Sequence, residues 1–99
     1  LKTLARDERR WRRYGDLVAN VNRIRGYGDF VHYHLLARGA LDAVVESDVN
    51  ILDIAALTVL VEEAGGRFTD LDGQPISLTT TTVLATNGLL HEPLLAALR

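Results

Sequence analysis

Residues Glu46 to Gly66, ESDVNILDIAALTVLVEEAGG, decide how this chain is read. Ile51, Leu52, Ile54, Ala55, Leu57, Val59, Leu60, Val61 and Ala64 leave almost no polar face. A helix of that kind is expected to be pressed between a sheet and other elements rather than laid on a surface. Asn50 can accept a hydrogen bond from a free N–H at the helix start, and Gly65-Gly66 can take the left-handed conformation that closes its end. Between those two stops a single carboxylate, Asp53, stands in the first turn of an apolar helix.

On the N-terminal side, Ala40 to Glu46 (ALDAVVE) has the alternation and β-branched content of a strand that carries Glu46 out at its carboxyl end, where ligands gather in open α/β sheets. Before it, Phe30 to Arg38 reads as a helix ended by Gly39, and Val21 to Gly26 as a short strand. On the C-terminal side, Arg67 to Leu71 is a strand closed by the Asp72-Gly73 turn. Gln74 to Thr82 is a polar, threonine-rich connection, and Thr82 to Thr86 (TVLAT) is a last core strand. Asn87 opens a final helix with Leu90, Leu94, Leu95 and Leu98 as its inner face, in which Pro93 is tolerable only near the first turn. The alternation of strands and helices predicts an α/β layered domain, a mixed or mostly parallel sheet flanked by helices.

The first stretch, Leu4 to Val18, is a helix that concentrates Arg6, Arg9, Arg10, Arg12 and Arg13 around Trp11 and Tyr14. The plainer reading is a solvated outer helix; the sharper one is a helix that bridges to a missing partner domain or subunit with Trp11 as its anchor. The 99 residues, 47% of them hydrophobic, suffice for one core, and 11 basic against 13 acidic residues give no reason to expect nucleic acid as a partner. No apolar run is long enough for a membrane span and no segment has signal-peptide character, so the expectation is a soluble chain. The absence of cysteine excludes a disulfide framework and thiolate metal ligands, and it suits a reducing cytoplasm. Because the chain opens on Leu1 in the middle of an apparent helix, it is expected to be a domain cut from a longer protein.

Two groups of residues could carry chemistry. Glu46 and Asp53 lie seven apart, one at a strand end and the other in the first turn of the next helix, so both could face one cleft. Paired carboxylates there suit a hard cation such as Mg²⁺, which relies on one or two carboxylates plus substrate phosphate oxygens. The structural alternative is that Asp53 answers the helix dipole and Glu46 is simply hydrated. The second group is the turn Gly26-Tyr27-Gly28-Asp29, whose backbone N–H groups and acidic side chain could hold a ligand; as a structural element, Asp29 is the N-cap of the following helix. His32 and His34 are two apart, point in different directions on a helix and cannot chelate one ion, so they read as packing or surface residues.

Taken together, the strand-end Glu46, LDIAALTVLVEEAGG from Leu52 to Gly66, RFTDLDG and VLATNG resemble the C-terminal half of the inositol monophosphatase family of Mg²⁺-dependent phosphatases. The family signature is a Trp-Asp pair opening a helix that ends in Glu-Ala-Gly-Gly; here Leu52 stands in place of the tryptophan and Asp53 keeps the aspartate. The resemblance runs from Arg23 to the end and implies a division into a bridging helix and linker, residues 1–22, and a C-terminal α/β domain, residues 23–99. It further implies that Asp53 is a catalytic Mg²⁺ ligand, that Glu46 contacts the non-phosphate end of the substrate, and that Tyr27, Gly28 and Asp29 form the other substrate-side loop. Within the family, RIRGYGDF and ATNGLLHEPLLAAL are most similar to the actinobacterial-type histidinol-phosphatases. An acidic Asp29 beside Glu46 would suit a substrate carrying ammonium and imidazole.

The expectation is therefore the C-terminal part of a metal-dependent phosphomonoesterase acting on histidinol phosphate in histidine biosynthesis. Inositol 1-phosphate is the competing substrate, and a non-catalytic binding or assembly domain is the alternative of another class. The resemblance also implies a homo-oligomer. The family's remaining metal ligands, a glutamate and an Asp-Pro-x-Asp-Gly-Thr run, are not in these residues; Asp70 and Asp72 in TDLDG sit in a strand and turn that look structural. The isolated chain is accordingly expected to be inactive.

Overall fold

The computed structural model describes residues 1–26 and 30–99. Its elements are α1 (Lys2–Arg6), α2 (Glu8–Asn20), α3 (Val31–Ala37), β1 (Ala43–Ser47), α4 (Ile51–Glu63), β2 (Arg67–Thr69), β3 (Thr82–Thr86) and α5 (His91–Leu98). The three strands form one sheet in the order β1-β3-β2, with β3 antiparallel to both neighbours. Ala43 faces Thr86 and Glu46 faces Val83 across one ladder, while Arg67 faces the same Thr86 across the other.

Strand β1, helix α4 and strand β2 form a crossover, because β1 and β2 both oppose β3 and so run parallel to each other. What the sequence could not show is that β3 slides between them. The sheet is thus antiparallel at every ladder among the described residues, which corrects the expectation of a mixed or mostly parallel sheet. The strand expected at Val21 to Gly26 is not formed either. Those six residues are exposed and irregular, and a strand without a partner ladder leaves its amide groups to water.

Alternate side chains of the sheet build two cores. Val83 and Ala85 of β3, Val44 of β1 and Phe68 of β2 pack against Tyr33 and Leu36 of α3 and Ile54, Leu57 and Val61 of α4. On the opposite face, Leu84 joins Leu4 of α1, Leu71, and Leu95 and Leu98 of α5, with Tyr14 and Leu17 of α2 packed at the margin. The result is three layers, α3 and α4 on one side of the sheet and α1, α2 and α5 on the other. The layered α/β expectation holds.

Helix α4 starts and stops as the sequence indicates. Asn50 Oδ1 accepts from Leu52 N at 2.8 Å. At the other end Gly65 has φ of 91° and its N–H donates to Glu62 O, while Gly66 N–H reaches back to Val61 O at 2.9 Å. This pair of bonds is the Schellman closure. Gly66 answers a second demand, for a Cβ there would lie 2.4 Å from Thr86 O and 2.8 Å from Val61 Cγ1.

Burial of α4 differs from the expectation. Ile54, Leu57 and Val61 are buried, but Leu52 is 87% and Val59 60% exposed, with Ala55 and Ala56 on the open side as well. The helix has a sheet under one face and, among the described residues, no element over the other.

The N-terminal stretch is two helices rather than one. Asp7 is extended (φ −89°, ψ 94°), ends α1, and caps α2 by accepting from Arg10 N at 3.1 Å. Helix α2 packs on α5. Its Arg10 donates from Nε to Leu98 O at 3.1 Å and pairs with Asp72 at 2.7 Å. Trp11 is 41% exposed and stacks on Tyr14 at 5.4 Å. In α5, Pro93 falls in the first turn, as required, and Leu95 and Leu98 are buried, but His91 rather than Leu90 completes the inner face.

Candidate active site

The strand end and the start of α4 converge through a two-residue reversal. Ser47 closes β1, and Asp48 then adopts a left-handed conformation (φ 65°), which aspartate tolerates better than most residues. Val49 N–H is tied to Thr81 O at 3.1 Å, and Asn50 begins the helix. The bend at Asp48 is held by donors converging on its carboxylate: Thr3 N at 3.1 Å, the Thr3 hydroxyl, and Ser47 Oγ at 2.8 Å. Those hydrogen bonds, led by the Thr3 hydroxyl, keep the Asp48 carboxyl well below the usual carboxylate range. Helix α1 thereby clamps the turn that sets Glu46 and Asp53 relative to each other.

The outcome is a cleft of about 440 Å³ with Glu46, Asp48 and Asp53 on its wall and Phe30, Tyr33 and Leu57 among its apolar lining. The spacing argument therefore holds, and the two expected acids share one cleft. Glu46 points to the same side of the sheet as Val44, toward α3 and α4. Its Oε2 accepts from the Tyr33 hydroxyl and from His32 Nε2 at 3.0 Å. Tyr33 is 1% exposed, and its ring lies between His32 at 4.4 Å and Phe68 at 5.4 Å between centroids. Burial first, and the hydrogen bond and negative charge of Glu46 next, push the phenol far above its ordinary value, so Tyr33 is a permanent donor.

Asp53 is exposed in the first turn of α4. Its backbone N–H is taken up by Asn50 O at 2.9 Å, and among the described residues its carboxylate has no hydrogen-bond or ion-pair partner. A hard divalent cation fits this donor chemistry, since an unengaged carboxylate at a helix start is an oxygen ligand with its lone pairs available. It would be only part of a site, because no group of three His, Asp or Glu side chains is placed to enclose an ion among the described residues. Leu52, at the family's tryptophan position, points into solvent and does not line the cleft.

Tyr27, Gly28 and Asp29, the other expected substrate-side residues, lie outside the described residues. Arg25 donates to the carbonyl of its own neighbour, Ile24, at 2.8 Å. The TDLDG acids are structural: Asp70 Oδ1 accepts from Asp72 N and Gln74 N, and Asp72 holds Arg10. The arginines of α2 belong to the layer across the sheet from the cleft. Sequence reasoning did not single out Tyr33 or Asp48, and it read His32 as a packing or surface residue. The available signal was weak: a polar-aromatic pair on the helix that precedes the strand carrying Glu46.

The chain matches the Inositol monophosphatase family over residues 2–99, and it belongs to that family. It is 48% identical over 86 residues to the histidinol-phosphatase of Mycobacterium tuberculosis, an overlap covering 87% of this chain and 33% of that protein. It is 43% identical over 83 residues to the histidinol-phosphatase of Streptomyces coelicolor, covering 84% of this chain and 31% of that protein. Among solved structures, an inositol monophosphatase from Zymomonas mobilis superposes with a TM-score of 0.68 at 38% identity, over 72% of this chain and 29% of that one. The chain thus spans about a third of the length of the curated relatives it matches. It is a piece of the fold of a family of metal-dependent phosphatases.

Proposed function

We propose that these residues form the C-terminal part of a Mg²⁺-dependent phosphomonoesterase whose preferred substrate is histidinol phosphate. The observation that carries this reading is the shared cleft: Asp53, with an unengaged carboxylate, beside Glu46, whose carboxylate is held from behind. The two histidinol-phosphatase relatives support the choice of substrate, and the Zymomonas mobilis likeness keeps inositol 1-phosphate as the competitor.

In this reading Asp53 supplies one ligand to Mg²⁺, and the remaining ligands come from an N-terminal half to which residues 1–22 bridge. When bound, the cation would neutralise phosphate charge and support in-line attack by water. Glu46 orients the substrate by its non-phosphate end, and Tyr27, Gly28 and Asp29 close the other side. The assembly is a homo-oligomer working in the cytoplasm.

The test is phosphate release with Mg²⁺ by a full-length chain carrying these residues, offered histidinol phosphate and inositol 1-phosphate side by side. Asp53→Asn should reduce turnover of both by about 100-fold or more, as expected for loss of a metal ligand. A preference for inositol 1-phosphate would overturn the substrate assignment but leave the metal role standing. Release from neither would leave a binding or assembly domain as the better description, and Mg²⁺-dependent release by the 99 residues alone would contradict the half-site.

A further inference from the structure

We propose that Tyr33 and His32 are positioning residues that make Glu46 a one-oxygen acceptor, and that this tilts the cleft toward a substrate ending in an ammonium group rather than a pair of adjacent hydroxyls. The inference rests on the reading of Glu46 as the substrate-facing wall and concerns how that wall chooses.

The argument starts from lone pairs. A carboxylate offers two oxygens and about four acceptor sites. Here both protein donors converge on Oε2, the Tyr33 hydroxyl and His32 Nε2, and Oε1 has no partner among the described residues. A carboxylate can only accept, so Nε2 carries the proton. Tyr33 and His32 are consecutive on α3, so their side chains leave the helix about 100° apart and reach Oε2 from different directions. Two donors from two directions fix the carboxylate plane as well as its place.

The donors are themselves set in the core. Both are buried, and Tyr33 is packed between the His32 and Phe68 rings. The Glu46 side chain is 31% exposed, so the carboxylate is bound on its inner side and accessible on its outer side. What the cleft presents is one oxygen in a fixed orientation. An ammonium group is a compact point donor that needs one such oxygen. Two adjacent hydroxyls are best met by both oxygens of a carboxylate, and one of them is already taken.

The experiment is steady-state kinetics on the full-length chain with Mg²⁺, using Tyr33→Phe, His32→Leu, His32→Gln and Glu46→Gln, with melting temperatures recorded for each. Tyr33→Phe removes one atom and keeps the ring packing. It should raise KM for histidinol phosphate about tenfold with kcat within about twofold, as loss of one hydrogen bond to a charged group implies. It should also shift the ratio of kcat/KM values toward inositol 1-phosphate, because Oε2 is released. His32→Leu should act in the same sense, and His32→Gln, which keeps an N–H donor, should restore much of the loss. In a Glu46→Gln background Tyr33→Phe should add little, since both act through one carboxylate.

Equal losses of kcat/KM for both substrates with a lowered melting temperature, or full additivity with Glu46→Gln, would overturn the inference and leave Tyr33 a packing residue. If Glu46→Gln raises KM while neither Tyr33→Phe nor His32→Leu does, the positioning role fails alone. If Glu46→Gln leaves KM for both substrates unchanged, the reading of Glu46 itself fails.

Discussion

At the scale of the residue, His91 shows how a buried titratable group can be satisfied without charge. It is fully buried at the start of α5, with Nε2 2.8 Å from Thr69 Oγ1 and Nδ1 3.0 Å from Thr86 Oγ1. The Thr69 hydroxyl spends its hydrogen on Asp70 O, so it accepts from Nε2–H; Thr86 then donates to Nδ1 while accepting from Gly88 N. A second proton on Nδ1 would face a hydroxyl already donating to it. Burial, and then the charge of Arg67, push the imidazole below its ordinary value. The unfolded chain therefore binds more protons than the folded one below about pH 6.5, and stability rises with pH through that window. Denaturant unfolding followed between pH 5 and 7 should show the domain losing stability as pH falls below about 6.5, with a flatter dependence in His91→Gln. Gly66 is as exacting for a different reason. Its Cβ would meet backbone oxygen that cannot swing away, so Gly66→Ala should cost about 1–3 kcal/mol, measured as a lower denaturation midpoint at unchanged m-value.

At the scale of the element, α4 was legible in its limits and its buried face but not in its environment. Asn50 and Gly65-Gly66 are local signals, because caps are satisfied by atoms a few residues away. Whether an apolar helix is covered on both sides depends on what the rest of the molecule brings, and here the stripe Leu52, Ala55, Ala56 and Val59 is open. An apolar stripe of that kind favours association in water. The 99 residues alone should self-associate with rising concentration, and Leu52→Lys with Val59→Lys should return them to monomer in sedimentation experiments. If the double variant associates as strongly as the parent, another surface is responsible. The same logic explains Val21 to Gly26. Alternation marks a segment able to pair, but pairing needs a ladder, and among the described residues the chain brings Val21 to Gly26 to neither outer edge of the β1-β3-β2 sheet.

At the scale of the whole molecule, the three layers place the acids by making β1 end where α4 begins, and α1 ties down the reversal between them. Asp48 shows why that was invisible in one dimension: its partner Thr3 is 45 positions away. The sequence by itself determined the layered α/β class, the stops of α4, the two acids seven residues apart and the family whose signature they carry, because each is written in residue type and short spacing. Tertiary structure alone decided that the sheet is antiparallel, with β3 inserted between two strands that a crossover connects. It also placed Tyr33 and His32 behind Glu46 and left one face of α4 open. These depend on contacts between distant segments, and neither propensity nor period specifies which segments will meet.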